Sequence, residues 1–188
     1  MIIRNLGADE CHRLAEIDPS FVTSKTYKIE YSNPFEPHLV TVDADPPKEV
    51  MPPIFGSTSS NAAMRYHDEY DRYDLFLAAE DGGRIVGAAC CMPLVRDIPF
   101  CMAKPGEYML ATIAVDREAR GKGIGRELLK TVKCYCVNSG KSLVSLWTGF
   151  DYYPAVKFYL SQGFTISGWM VHPDCHYEEC MIYLTWKP

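Results

Sequence analysis

The stretch Leu110-Ala-Thr-Ile-Ala-Val-Asp-Arg-Glu-Ala-Arg120-Gly-Lys-Gly-Ile-Gly-Arg126 decides how the chain folds around it. Its first half is apolar and partly β-branched, the composition of a buried strand. Its second half is Arg120-x-x-Gly123-x-Gly125, after which Ile124, Leu128, Leu129, Val132 and Cys136 recur at helical spacing over 122–138. A strand, a glycine turn and a helix in that order leave backbone N–H groups unsatisfied at the helix start. Glycines let that backbone approach a ligand without Cβ atoms in the way. Gly121 to Gly125, with Arg120, Lys122 and Arg126, therefore form a candidate socket for a diphosphate.

Residues 142–148 are a second β-branched run. Strand 107–115, helix 122–138 and strand 142–148 make a βαβ unit, with parallel strands and a right-handed crossover. Upstream, 74–80 and 84–95 flank Asp81-Gly82-Gly83, a hairpin turn. Downstream, Pro154 opens a short helix over 154–162 that Gly163 ends, and 164–171 and 178–186 close the chain as a strand pair. Residues 1–6 read as a strand and 9–17 as a helix stopped by Asp18-Pro19. Residues 23–54 contain Pro34, Pro37, Pro46, Pro47, Pro52 and Pro53 and are expected to form an irregular lid or binding loop. A capped helix is expected over 57–73. The expected class is α/β (α+β): a mixed, mostly antiparallel sheet of about six to seven strands with one parallel pair and helices on both faces. A single domain is expected over 1–188.

At 188 residues, 47% apolar and 23% charged, the chain can bury a sizeable core and does not read as disordered. Its eight cysteines form no CxxC pair or regular framework and read as packed thiols in a reducing cytoplasm. The longest nearly apolar stretch, 86–95, is too short to span a bilayer, and 1–10 has no apolar targeting core, so neither membrane association nor export is expected. The net charge is −5, yet 116–133 carries +3 and 1–80 carries −7. That basic stretch is too narrow for nucleic acid and suits a small anionic ligand. A homodimer stays open.

Three glycine-rich chemistries compete for the socket. A nucleotide P-loop needs a hydroxyl residue after its lysine, and Lys122 has none. A dinucleotide fold needs Gly-x-Gly-x-x-Gly and an acid ending the next strand, whereas that strand ends Trp147-Thr148-Gly149. Arg-x-x-Gly-x-Gly is left. Together with Ala155-x-x-Phe158-Tyr159-x-x-x-Gly163-Phe164, it resembles the GNAT superfamily of N-acetyltransferases. The resemblance covers 74–187 as an acetyl-CoA-binding core and leaves 1–73 as a variable, acceptor-side segment.

The resemblance implies direct acetyl transfer from acetyl-CoA, a cosubstrate, to an amine. It implies that Arg120, Gly121, Lys122, Gly123, Ile124, Gly125 and Arg126 hold the diphosphate. Backbone groups of Ile113, Ala114 and Val115 bind the pantetheine arm, with one N–H polarising the thioester carbonyl. Tyr152, Ala155 and Phe158 line the cofactor, and Tyr159 protonates the departing thiolate. Two departures stand out. The strand centre Leu110-Ala111-Thr112 has no acid, so the base is either Glu107 at the strand's start or a chain of waters. Tyr152 stands where the family has an asparagine.

The acidic, aromatic-rich 1–80 is expected to favour a cationic amine. Residues 18–27 and the closing Glu178-Glu179-Cys-Met-Ile-Tyr183 resemble streptothricin acetyltransferases, which act on an antibiotic's β-lysine amine. Glu179 and Tyr27 are the candidate acceptor contacts. A protein N-terminal acetyltransferase and a non-catalytic acyl-CoA sensor are the alternatives. His172-Pro-Asp-Cys175-His176 matches no common zinc spacing and reads as a turn, so no metal is expected.

Overall fold

The computed structural model describes residues 1–33, 36–52, 66–93, 107–170 and 180–188. Its strands are β1 (Ile2–Asn5), β2 (Phe21–Tyr31), β3 (Pro37–Val50), β4 (Leu75–Asp81), β5 (Arg84–Pro93), β6 (Tyr108–Val115), β7 (Val144–Gly149), β8 (Thr165–Met170) and β9 (Met181–Trp186). Its α-helices are α1 (Ile124–Asn138) and α2 (Tyr153–Ser161). Seven strands form a mixed sheet in the order β1-β4-β5-β6-β7-β9-β8, and β2 pairs with β3 separately. The β6–β7 pair is parallel, and the ladders of β1, β4, β5 and β6, and of β8 with β9, are antiparallel. This is the architecture expected from the sequence. The chain divides into two compact units, one of Met1–Ser20, Met51–Leu146 and Trp186–Pro188, the other of Phe21–Val50 and Trp147–Thr185.

In the first unit, β5 is covered on both faces. Ala88 and Cys90 join Leu6, Cys11, Leu14, Ile17 and Phe76 in a buried cluster with the 3-10 helix Ala8–Glu16. Gly87, one residue before Ala88, faces the other way. A Cβ there would lie 3.2 Å from Ile124 Cγ2 and 3.3 Å from Leu128 Cδ1, so α1 rests directly on β5 backbone. Ile124, Leu128, Leu129, Val132 and Cys136 are the buried stripe of α1. Each such side chain contributes about 1.5–3 kcal/mol relative to leaving it exposed.

In the second unit, the sequence expectation fails and the reason is visible. Residues 23–54 are largely a two-stranded ladder running from Phe21↔Val50 to Tyr31↔Pro37. The pairing jumps from Thr23↔Lys48 to Lys25↔Asp43, so Ala44, Asp45, Pro46 and Pro47 stand opposite Ser24 alone. Proline has no N–H to give a ladder, and the bulge removes the need for one. α2 packs against β2 and β8.

Of the helix expected over 57–73, residues 66–68 are helical and Tyr70–Arg72 is a 3-10 turn. Residues 57–65 lie outside the described residues. No helix among the described residues is long and apolar enough to cross a membrane. Cys11, Cys90, Cys91, Cys134, Cys136 and Cys180 are free thiols, and all but Cys134 are buried.

Candidate functional site

The first unit's site starts with the backbone of β6. Asp116 N–H donates to Val86 O at 2.9 Å, which fixes which peptide groups face β5. Peptide groups alternate along a strand, so Ala114 points at β5 while Ile113 and Val115 point to the opposite edge. On that edge the parallel ladder with β7 consists of Tyr108↔Val144 and Met109↔Ser145. Among the described residues the ladder with β7 is seen no further than Met109, and the peptide groups of Ile113 lie on that edge. Val115 C=O accepts from Arg120 Nε at 3.1 Å.

The turn that follows is built on Asp116, which is 1% exposed. Its carboxylate accepts from Glu118 N–H at 3.1 Å, Asp18 N–H at 3.0 Å and Arg84 Nη2 at 2.7 Å. Arg120 closes the turn from the other side. Besides Val115 O, it donates from Nη1 to Ser20 O at 2.6 Å and from Nη2 to Pro19 O at 2.8 Å. Burial lowers its affinity for its proton, with Asp18 and Asp116 opposing. The guanidinium remains charged.

Gly121 and Gly123 lie in the left-handed region at φ +77° and +83°. Space is open where a Cβ would stand on either. Gly123 is the N-cap of α1 and supplies no capping side chain, so the first N–H groups of a 15-residue helix point outward uncapped. Lys122 and Arg126 are exposed beside them, and neither forms an ion pair or side-chain hydrogen bond among the described residues. Open space, orphan donors, a positive helix end and two unengaged cations fit a diphosphate.

The second unit carries the other predicted residues. Tyr152 meets Phe21 edge-on at 5.5 Å, and Tyr27 tilts against Tyr153 at 5.6 Å. Tyr27 is 7% exposed, and its N–H donates to Phe150 O at 3.0 Å. In α2, Ala155 and Phe158 are half-buried. Tyr159 is buried between Phe158 and Phe164, with ring centroids at 5.5 and 5.7 Å. Burial pushes its phenol well above the ordinary tyrosine range.

Glu107 sits just before β6, about 27 Å from Val115 at roughly 3.4 Å per residue. Its Oε2 is buried without a hydrogen-bond partner among the described residues. Glu179 and the His172–His176 cluster lie outside the described residues. Among the described residues no group of side chains could hold a metal ion.

Two residues escaped the sequence reading. Asp116 is an N-cap ahead of Arg117–Ala119, a pattern that Asp at a strand-to-turn junction signals. Asp151 lies just before the proline-started α2, where an acid is favoured by the helix end.

The model of the acetyltransferase (GNAT) family matches residues 45–164. N-acetyltransferase 8 of Rattus norvegicus is 34% identical over 116 residues, which are 62% of this chain and 46% of that protein. Mycothiol acetyltransferase of Pseudarthrobacter chlorophenolicus is 31% identical over 104 residues, 55% of this chain and 31% of that protein. The chain spans less than half the length of these curated relatives. Among solved structures, a nourseothricin acetyltransferase superposes with TM-score 0.75 at 18% identity, covering 99% of this chain and 97% of that one. A Bacillus anthracis protein assigned as a streptothricin acetyltransferase, solved in complex with acetyl coenzyme A, gives TM-score 0.73 at 20% identity, covering 99% and 96%. At these identities the likeness is one of fold.

Proposed function

The chain belongs to the GNAT acetyltransferase family, and on that premise we propose that it transfers the acetyl group of acetyl-CoA to a primary amine of a small cationic acceptor. One observation carries the reading. The β7-facing edge of β6 runs into an uncapped helix start flanked by Gly121, Lys122, Gly123 and Arg126. Acetyl-CoA supplies an activated acyl group together with the diphosphate such a socket fits.

In this reading the N–H groups at the start of α1 and the Lys122 and Arg126 cations bind the diphosphate. Arg120 holds the turn in shape through three backbone carbonyls. The peptide groups of Ile113 and the N–H of Val115 orient the pantetheine, those of Ala114 being taken up on the β5 side, and one N–H stabilises the oxyanion that forms as the amine nitrogen attacks the thioester carbon. The C–N bond forms, the C–S bond breaks, and the amine proton leaves to water, because Glu107, about 20 Å from Ile113 along the strand, is out of reach. Tyr159 gives its proton to the departing thiolate. Tyr152, Ala155 and Phe158 flank the cofactor arm. The free, mostly buried thiols fit a reducing cytoplasm.

The acceptor class is supported by the −7 charge of residues 1–80 and by the fold likeness to antibiotic acetyltransferases. Tyr27 and Glu179 are proposed acceptor contacts, and streptothricin is the first acceptor to try. Calorimetry with acetyl-CoA, followed by thiol release with streptothricin, polyamines, aminoglycosides and peptide N-termini, tests the proposal. Binding with turnover of small amines is expected. Turnover of peptides alone would make the protein an N-terminal acetyltransferase, and binding without thiol release would make it a sensor. No heat of association with acetyl-CoA overturns the whole reading.

A further inference from the structure

Resting on the transferase reading above, we propose that the hydroxyl pair of Tyr66 and Thr112 fixes the place of a bulge in β6, and so decides which peptide groups face the pantetheine arm. Tyr108 and Asp116 are both even-numbered, so an unbroken strand would turn their peptide groups to the same edge. They face opposite edges. Tyr108 N–H donates to Leu143 O at 2.9 Å, just ahead of β7, whereas Asp116 N–H donates to Val86 O at 2.9 Å, on the β5 side. One residue between them is therefore extra. The pairing with β5 locates it: Cys90 stands opposite Thr112 and Cys91 opposite Leu110, which leaves Ala111 without a counterpart on β5. The side chains agree. Ala111 packs against the buried cluster that holds Tyr66 and Ala114, and Thr112 reaches Tyr66, so two neighbours turn to one face, as an unbroken strand forbids.

The extra residue sets the phase of the strand beyond it. With Ala111 bulged out, the peptide groups of Ile113 lie on the β7-facing edge and those of Ala114 on the β5 side. Without the bulge, Ala114 would present its groups at the cofactor's edge and Ile113 would give its own to β5.

Thr112 is the first residue past the bulge. Its Oγ1 lies 2.9 Å from Tyr66 Oη, either can donate, and both residues are buried. The Tyr66 ring is held in turn by Phe76 of β4, edge-on at 5.7 Å, and by Tyr73 at 5.9 Å. Moving the bulge past Thr112 would turn that side chain to the other face of the sheet and break the pair. Tyr66 and Thr112 thus act on the cofactor only through the backbone, as positioning residues.

The test is amide hydrogen exchange, read by NMR on the full chain, in wild type, Tyr66→Phe, Thr112→Val, Thr112→Ser and the Tyr66→Phe/Thr112→Val double variant. Calorimetry of acetyl-CoA and of ADP, which carries the diphosphate without the pantetheine arm, is run on the same proteins. Tyr66→Phe and Thr112→Val are each expected to speed exchange at Ala111, Thr112 and Ile113 about tenfold, the effect of one buried hydrogen bond, with the amides of β4 and α1 unchanged. Each is expected to weaken acetyl-CoA about tenfold and to leave ADP binding as it is. Thr112→Ser keeps the hydroxyl and is expected to behave as wild type. The double variant loses no more than the worse single variant, because both remove the same bond. Unchanged exchange at the three amides overturns the inference, as does an equal rise across β4 and α1. So do additive losses in the double variant, Thr112→Ser matching Thr112→Val, acetyl-CoA affinity that does not change, or acetyl-CoA and ADP weakening together. If wild type binds neither nucleotide, the transferase reading falls, and the exchange pattern alone upholds or overturns the pin.

Discussion

Arg120, Lys122 and Arg126 share a charge and a seven-residue stretch, yet they are engaged differently. Arg120 spends three N–H groups on the carbonyls of Val115, Pro19 and Ser20, which only a planar fork reaches together. Lys122 and Arg126 form no ion pair or side-chain hydrogen bond among the described residues. The sequence named all three as anion contacts because spacing carries no information about which carbonyls fold back over a guanidinium. Tyr159 poses the same question of role. Tyr159→Phe removes only a hydroxyl, and the ring keeps its packing between Phe158 and Phe164. As the proton donor to the thiolate, it predicts a kcat roughly ten to ten-thousandfold lower in Tyr159→Phe, the range of acid–base effects, with KM for acetyl-CoA and Tm unchanged. Burial raises this phenol above its ordinary value of 10.0, so any alkaline fall in wild-type kcat below that pH belongs to another group. Steady-state kinetics on the variant decides the matter, and undiminished turnover removes Tyr159 from the mechanism.

Elements were legible where one periodicity dominated. The stripe Ile124, Leu128, Leu129, Val132 and Cys136 placed α1 and its buried face, and the turn Asp81-Gly82-Gly83 placed β4 and β5. The β2–β3 hairpin was not legible, because six prolines argue against strands unless a bulge takes up the pair that falls inside one. Nothing in a single sequence announces that Pro46 and Pro47 stand opposite one serine. The contact of α1 with β5 was equally hidden, since Gly87 reads as a weak strand residue until Ile124 and Leu128 are seen lying on it. Gly87→Ala inserts a Cβ 3.1 Å from Ala114 O as well as against both side chains. The backbone oxygen is held by the β5–β6 ladder, so the strain falls on that ladder and on Ile124 and Leu128, which must give by a few tenths of an ångström. A loss of about 1–3 kcal/mol in urea unfolding is expected, the usual penalty of overpacking. Stability equal to wild type would mean that α1 sits less tightly on β5 than these distances require.

At the scale of the molecule, the segment Met1–Ser20 links acid stability to the socket. Three of its carboxylates hold their protons less readily than usual. Arg4's hydrogen bonds, helped by Gly7 N–H, pull Glu10 down from 4.5 to about 2. Burial pushes Glu16 up, but Arg13 and Ile85 N–H pull it down further. The hydroxyl and N–H of Ser20 lower Asp18. Between the two Glu10 values the unfolded chain binds the proton and the folded chain does not, so the stabilisation is complete above about 4.5 and fades as pH falls toward about 2. Arg4 and Glu10 are 31% and 27% exposed, and screening brings the contribution of Glu10 to about 1 kcal/mol. Glu10→Gln should therefore lose about 1 kcal/mol at pH 7, and its urea midpoint should drop less than that of wild type between pH 7 and pH 3. The same segment supplies the Pro19 and Ser20 carbonyls that hold Arg120, so loosening it releases the turn ahead of α1. Acetyl-CoA affinity measured down the same pH series should fall in step with stability. Affinity that holds while the urea midpoint drops would separate the socket from this segment and leave the Arg120 contacts without a part in binding.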